Sequence, residues 1–154
     1  MILSTKGRYA VMAMVDLAAQ NSDTPITLAQ IAERQEIPLA YLEQLFARLR
    51  KAELVSSVRG PRGGYLLGRV PSEISIAEIV EASEESLEMT RCGTSPKEGC
   101  LSPKTRCLTH DLWEGLTRHI QDYLSAISLA HVCAGDLPAL QLSSNENLIQ
   151  VVRA

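Results

Sequence analysis

Residues 54–68 read LVSSVRGPRGGYLLG, two short runs of strand character joined by a glycine- and proline-rich turn, in a chain whose remaining apolar residues mostly recur at helical spacing. The pattern predicts a strand over 54–59, a turn over Gly60–Gly64 and a returning strand over Tyr65–Gly68. A lone two-stranded hairpin is barely stable in water, so it must lean on the helices around it. This restricts the chain to a mainly α fold carrying a two-stranded wing.

Three helical patterns precede the hairpin. The first runs from about Ser4, a candidate cap, to Gln20, with Ala10, Val11, Met14, Leu17 and Ala18 on one face. Lys6 and Arg8 before the run Tyr9–Leu17 imitate the front of a secretory signal, but Asp16 interrupts the run, and its spacing is that of an amphipathic helix. A retained, cytoplasmic protein is expected. The second helix begins after Thr27, a capping residue, and carries Leu28, Ile31 and Ala32 on one face. Glu36-Ile37-Pro38 then forms a turn, and Pro38 suits the first position of a third helix reaching about Ala52. Leu39, Leu42, Leu45, Phe46 and Leu49 give that helix a packing face, leaving Tyr41, Gln44, Arg48 and Lys51 elsewhere.

Helix, tight turn and longer helix is the helix-turn-helix arrangement, in which the second member lays its N-terminal side chains against base edges. With the hairpin directly after it, the unit reads as a winged helix-turn-helix over residues 1–70. Arg59 and Arg62 at a glycine-rich tip can approach a phosphate or a minor groove closely. Charge agrees with this placement. Residues 1–70 hold nine Lys or Arg and six Asp or Glu, whereas residues 71–154 hold six and twelve, so the net −3 of the chain hides a basic first half. With one Phe and one Trp in 154 residues, the core must be mostly aliphatic. No run approaches the roughly 18 apolar residues of a membrane helix, so no membrane partner is expected.

The second half, residues 71–134, opens with a short helix over about 75–82, where Ser75 caps and Glu78 completes a capping box. Residues 91–110 then read RCGTSPKEGCLSPKTRCLTH, with Cys92, Cys100, Cys107 and His110 spaced to wrap four donors around one centre. Three thiolates and an imidazole suit structural zinc as well as an iron-sulfur cluster, and spacing alone does not choose between them. Disulfides are the weaker reading for three cysteines in one loop of a chain without an export signal. Cys133 stands apart and is expected to be a small buried residue. A Cys-His nucleophile is disfavoured, because no third orienting group and no pocket-forming glycine motif accompany the pair. The chain is therefore not expected to be an enzyme.

Beyond the cysteines, Leu112, Trp113, Leu116, Ile120, Leu124 and Ile127 fall at helical spacing along roughly 24 Å of helix axis. Such a stripe in so short a chain most simply buries itself against a second copy, giving a homodimer whose heads address two DNA half-sites. Residues 135–154 lack a clear period and are expected to form a loosely ordered tail.

The blocks KGRYAV at 6–11, YLEQLFARLRK at 41–51, LVSSVRGPRGGYLLG at 54–68, TRC at 90–92 and CLTHDLW at 107–113 resemble the IscR-type iron-sulfur-cluster regulators of the wider Rrf-two group of winged-helix repressors. The similarity covers about residues 1–131. It implies a bacterial homodimeric transcription factor whose [2Fe-2S] cluster adjusts promoter choice and represses genes for cluster assembly. The implied cluster ligands are Cys92, Cys100, Cys107 and His110, and the implied contacts to double-stranded DNA are Tyr41, Glu43, Gln44 and Arg59. Two departures stand out: the ligand loop is longer, around Ser95-Pro96-Lys97, and position 40 is Ala where some relatives carry a hydroxyl. Glu43 can accept from cytosine or repel phosphate, which makes it the residue expected to separate the site preferences of the cluster-free and cluster-loaded forms. The alternative left standing is a zinc-stapled interaction or DNA-binding module without cluster sensing.

Overall fold

The computed structural model describes residues 5–20, 23–83 and 106–138. Among them lie α1 (Thr5–Ala19), α2 (Leu28–Gln35), α3 (Leu39–Lys51), β1 (Val55–Val58), β2 (Gly64–Leu67), a 3-10 turn (Pro71–Glu73), α4 (Ile76–Ala82), α5 (His110–Ala126) and α6 (Leu129–Ala134). The fold is mainly α, a winged helix-turn-helix with a long helix following it.

Local chemistry explains where the short helices start. Thr27 opens α2 with a reciprocal box: the Gln30 N–H donates to Thr27 Oγ1 (3.3 Å) and the Thr27 N–H donates to Gln30 Oε1 (2.9 Å). Ser75 and Glu78 do the same for α4, as the sequence predicts, and Ser128 and His131 do it for α6. Each box satisfies backbone donors that a helix start otherwise leaves unpaired. Pro38 sits one residue earlier than expected. It is the cap of α3, and its carbonyl accepts from the N–H groups of Tyr41 (3.0 Å) and Leu42 (3.2 Å).

The core gathers Ala10, Met14 and Leu17 of α1, Ile31 of α2, Leu42, Leu45, Phe46 and Leu49 of α3, Leu54 and Val55 of the wing, and Ile79 and Val80 of α4. Leu39 departs from the expected packing face. It is the first residue of α3 and is 42% exposed, while Leu42, Leu45, Phe46 and Leu49 carry the buried face.

β1 and β2 pair antiparallel, Val55 opposite Leu67 and Val58 opposite Gly64. The turn between them closes with the Gly63 N–H donating to Gly60 O (2.9 Å), and Gly60 takes φ +118°, a conformation that side-chain-bearing residues rarely adopt. A third segment joins the wing: Ile26 and Tyr65 exchange both backbone hydrogen bonds (3.0 and 2.7 Å). Gly64 permits this approach, since a Cβ there would stand 2.5 Å from Ile26 O.

Asp16, which interrupts the apolar run of α1, is buried and clasps the head together. Arg34 donates from Nη2 to Asp16 Oδ1 (2.6 Å) and from Nε to both carboxylate oxygens (3.1 Å each), and Gln35 Nε2 donates to Oδ2 (2.7 Å). Burial alone would raise the carboxyl pKa. The hydrogen bonds from Arg34 and Gln35, with the Arg34 charge, outweigh it and hold Asp16 below its ordinary value.

The long helix ends sooner than its apolar period suggests. Ile127 leaves the helix in an extended conformation, its carbonyl accepting from the Ile76 N–H (2.8 Å), and the Leu129 N–H donates to Ile74 O (2.9 Å). The chain then turns into α6, which packs on α1 and was not expected from the sequence. The expected tail from residue 135 is seen only to 138, and residues 139–154 lie outside the described residues.

Candidate nucleic-acid interface and metal centre

The DNA-facing candidates are set by how α3 and the wing are fixed to each other. Phe46 is fully buried and meets the Tyr65 ring edge-on at 4.9 Å, which ties the packing face of α3 to β2. The paired backbone bonds from Ile26 hold the other side of Tyr65. Together these contacts set where the wing tip lies relative to the front of α3. Glu43 and Gln44 are exposed on α3, and Arg59 and Arg62 are exposed at the tip.

Tyr41 is only half exposed. Its ring packs edge-on against Tyr9 of α1 at 5.7 Å, so part of its aromatic surface is already committed to holding α1 to α3. Arg48 behaves differently from a residue on an open face. It crosses to α4, and its Nη1 donates to Ser83 O (3.1 Å). Sequence periodicity places Arg48 off the packing stripe but does not reveal that a carbonyl 35 residues away receives it.

Of the four expected metal ligands, Cys92 and Cys100 lie outside the described residues. Cys107 and His110 lie together at the start of α5. Cys107 is half-buried, His110 is 4% exposed, and the His110 N–H donates to Cys107 O (3.0 Å), closing the turn between them. Cys107 Sγ lies 3.5 Å from Thr109 Oγ1. A sulfur and an imidazole nitrogen so close in the chain are the donor types that zinc or an iron-sulfur cluster takes, so the described half of the set fits such a centre.

A second feature was not read from the sequence. His110, Asp111 and Glu114 each offer a ligand atom within 4.8 Å of the others, forming a potential metal-binding group. His110 Nε2 lies 3.7 Å from Glu114 Oε2, and Arg118 Nη2 lies 3.8 Å from Glu114 Oε1, one helical turn further on. The i, i+4 spacing of His110, Glu114 and Arg118 is the signal that could have found this row.

The first half of α5 carries its apolar residues on the outside. His110 and Thr117, seven residues apart, face inward, while Leu112 (64%), Trp113 (41%) and Leu116 (37%) are exposed. Ile120 is half-buried, and Leu124 packs partly against the core. Ile127 requires a correction. It is 4% exposed and part of this chain's own core, because the backbone bonds to Ile74 and Ile76 draw the end of α5 inward.

Cys133 also departs from expectation. The residue as a whole is exposed, although its sulfur turns toward Val15 O (3.9 Å), and desolvation there pushes the thiol above its ordinary pKa. Such a thiol is a poor nucleophile at neutral pH.

A helix-turn-helix whose second helix is locked to a glycine-tipped wing, followed by a helix with an outward apolar face, defines a winged-helix DNA-binding transcriptional regulator rather than an enzyme. The Rrf2 family pattern, described as an iron-dependent transcriptional regulator, matches residues 3–135, and the chain belongs to this family of iron-sulfur-sensing regulators. It is 50% identical over 152 residues to the HTH-type transcriptional regulator IscR of Sodalis glossinidius (strain morsitans), covering 99% of this chain and 84% of that one. It is 57% identical over 129 residues to the IscR of Photorhabdus laumondii, covering 84% and 77%. Among solved structures, T. potens IscR superposes with a TM-score of 0.71 at 37% identity over 96% of both chains. CymR, the global cysteine regulator of B. subtilis, gives 0.73 at 29% identity over 88% of this chain and 98% of its own. The fold and α5 of this chain accord with DNA binding as a homodimer. Among the described residues no helix is long and apolar enough to cross a membrane.

Proposed function

We propose that the chain is a homodimeric repressor that binds double-stranded operator DNA through α3 and the wing and senses a [2Fe-2S] cluster held by Cys92, Cys100, Cys107 and His110. Genes for cluster assembly are its targets, and the cluster-free and cluster-loaded forms prefer different promoters. The observation that carries this reading is the pairing of Cys107 with a buried His110 at the start of the helix that bears the dimer face. When bound, the cluster supplies a tie that forms and breaks with iron supply and redox state; one imidazole in place of a thiolate leaves it less anionic and easier to lose. Cys107 and His110 hold one end of that tie against α5.

On DNA, Gln44 pairs with adenine N6 and N7, Arg59 and Arg62 meet a minor groove or phosphates from the wing, and Tyr41 supports the front of α3. Glu43 accepts from cytosine in one class of site and repels the other class. Equal relative affinities of both forms for the two classes after Glu43→Ala would remove that role. Leu112, Leu116, Ile120 and Leu124 form the dimer face, with Ile127 excluded.

The decisive experiment is isolation of the protein under anaerobic conditions with iron and sulfide analysis and a visible spectrum. Coloured protein with iron and sulfide in equal amounts is expected, and replacing Cys92, Cys100 and Cys107 together by Ser should abolish both colour and cluster-dependent promoter choice. The competing reading, a module stapled by zinc or another divalent ion, draws on the convergence of His110, Asp111 and Glu114. Colourless protein containing zinc and no sulfide would establish it.

A further inference from the structure

We infer that Arg48 is a positioning residue that transmits the state of the cysteine segment to the base-reading front of α3. The inference rests on the cluster-sensing reading above and adds the route by which sensing reaches DNA.

Ser83 is the anchor. It is fully buried, its N–H donates to Ile79 O and Val80 O (3.2 Å each), and its hydroxyl donates to Val80 O (2.7 Å). Its remaining backbone group, the carbonyl, accepts from Arg48 Nη1 (3.1 Å). Nitrogen, hydroxyl and carbonyl are therefore all engaged at the residue that immediately precedes 84–105, the stretch carrying Cys92 and Cys100. The carbonyl end of a helix attracts a guanidinium, so the link is electrostatic as well as directional.

α4 packs on α5, with the Ile76 N–H donating to Ile127 O just beyond the end of α5 (2.8 Å), and α5 begins at His110. Binding one centre with Cys92, Cys100, Cys107 and His110 would tie the chain leaving Ser83 to the start of α5. Arg48 connects α4 to α3. It lies four residues beyond Gln44, one turn further along the same side of the helix, so a shift of Ser83 O acts on the row that presents Gln44. Arg50 and Lys51, exposed at the end of α3, are outside this link and serve as controls.

The test uses the full chain and a DNA duplex enriched from a random pool by the wild-type cluster-loaded protein. Arg48→Met keeps the aliphatic stem and removes the donors; Arg48→Lys restores a donor; Lys51→Met is the control. In wild type, the affinity ratio between loaded and cluster-free forms should fall in the range of about 5- to 150-fold typical of coupled sites. Arg48→Met should bring that ratio to within about threefold of unity, with Arg48→Lys recovering part of it and Lys51→Met leaving it unchanged. Iron content and visible spectrum should match wild type throughout.

Hydrogen exchange gives a readout independent of DNA: amides over residues 39–47 should change protection on cluster loading in wild type and stay unchanged in Arg48→Met. A full wild-type ratio and the same exchange change in Arg48→Met overturn the inference. If Arg48→Met fails to fold, Arg48→Gln, whose amide is too short to reach Ser83 O, decides by the same criteria. A wild-type protein without iron, or with a ratio of one, would instead sink the cluster-sensing reading itself.

Discussion

The head and the long helix solve the same problem of apolar surface in opposite ways. In the head, α1, α2, α3 and the wing enclose Met14, Ile31, Leu42 and Phe46 so completely that none is exposed, and the one interrupting charge, Asp16, is buried with three hydrogen-bonding groups around it. In α5 the inward row contains His110 and Thr117, while Leu112, Trp113 and Leu116 point outward. Further along the same helix Tyr123 and Leu124 pack on the core. The head thus closes its own apolar surface, while the first half of α5 leaves apolar side chains open, the feature on which the proposed dimer face rests.

The contrast is most severely tested on α5. Leu116→Asp combined with Ile120→Asp should convert the protein from dimer to monomer in sedimentation and abolish binding to DNA with two half-sites, while helical circular dichroism from the head is retained. A dimer that survives both substitutions would break the comparison.

The head should show the opposite dependence, on its own packing. Phe46→Ala removes a fully buried ring that also positions Tyr65, and a loss of about 3–5 kcal/mol in denaturant unfolding is expected. Oligomeric state should not change in protein that remains folded.

Asp16→Ala should cost on the order of 1–3 kcal/mol, because it leaves Arg34 and Gln35 without their acceptor. The clasp also has a pH signature. Since the folded Asp16 has a lowered pKa, its stabilisation is complete above the unfolded value of about 3.9 and is lost as pH falls through the folded value. Wild type and Asp16→Asn should therefore converge in stability below about pH 3.9, and a gap that stays constant through acid would refute this assignment.

The smallest effect belongs to the wing tip. Arg62→Ala should leave stability untouched and reduce the slope of log affinity against log salt by about 0.9, the value for one phosphate contact. An unchanged slope would show that the tip reaches no phosphate through this side chain.

Much of this was legible from residues close together in the chain. The box at Ser75 and Glu78, the turn at Glu36-Ile37-Pro38 and the glycine-tipped hairpin are interactions over three or four positions, and they occur where the sequence places them. The box formed by Ser128 and His131 obeys the same rule, but the apolar stripe continuing to Ile127 masks it, so residues 128–134 read as part of the long-helix segment and α6 is not separated from it. For the candidate metal centre, the sequence offers four donors of two types and their spacing, and the structure adds the burial of His110 and the nearby Asp111 and Glu114.

What the sequence determined by itself is the succession from α1 through the wing to α5 and the chemistry displayed on each, because capping, turn formation and amphipathic period depend on neighbours a few residues away. Only the tertiary structure decided that Asp16 meets Arg34, that Arg48 reaches Ser83, that Ile26 joins the wing and that Ile127 turns inward. Those outcomes depend on distances between segments brought together by the whole core, and no local pattern encodes which of several compatible partners will stand within hydrogen-bonding reach.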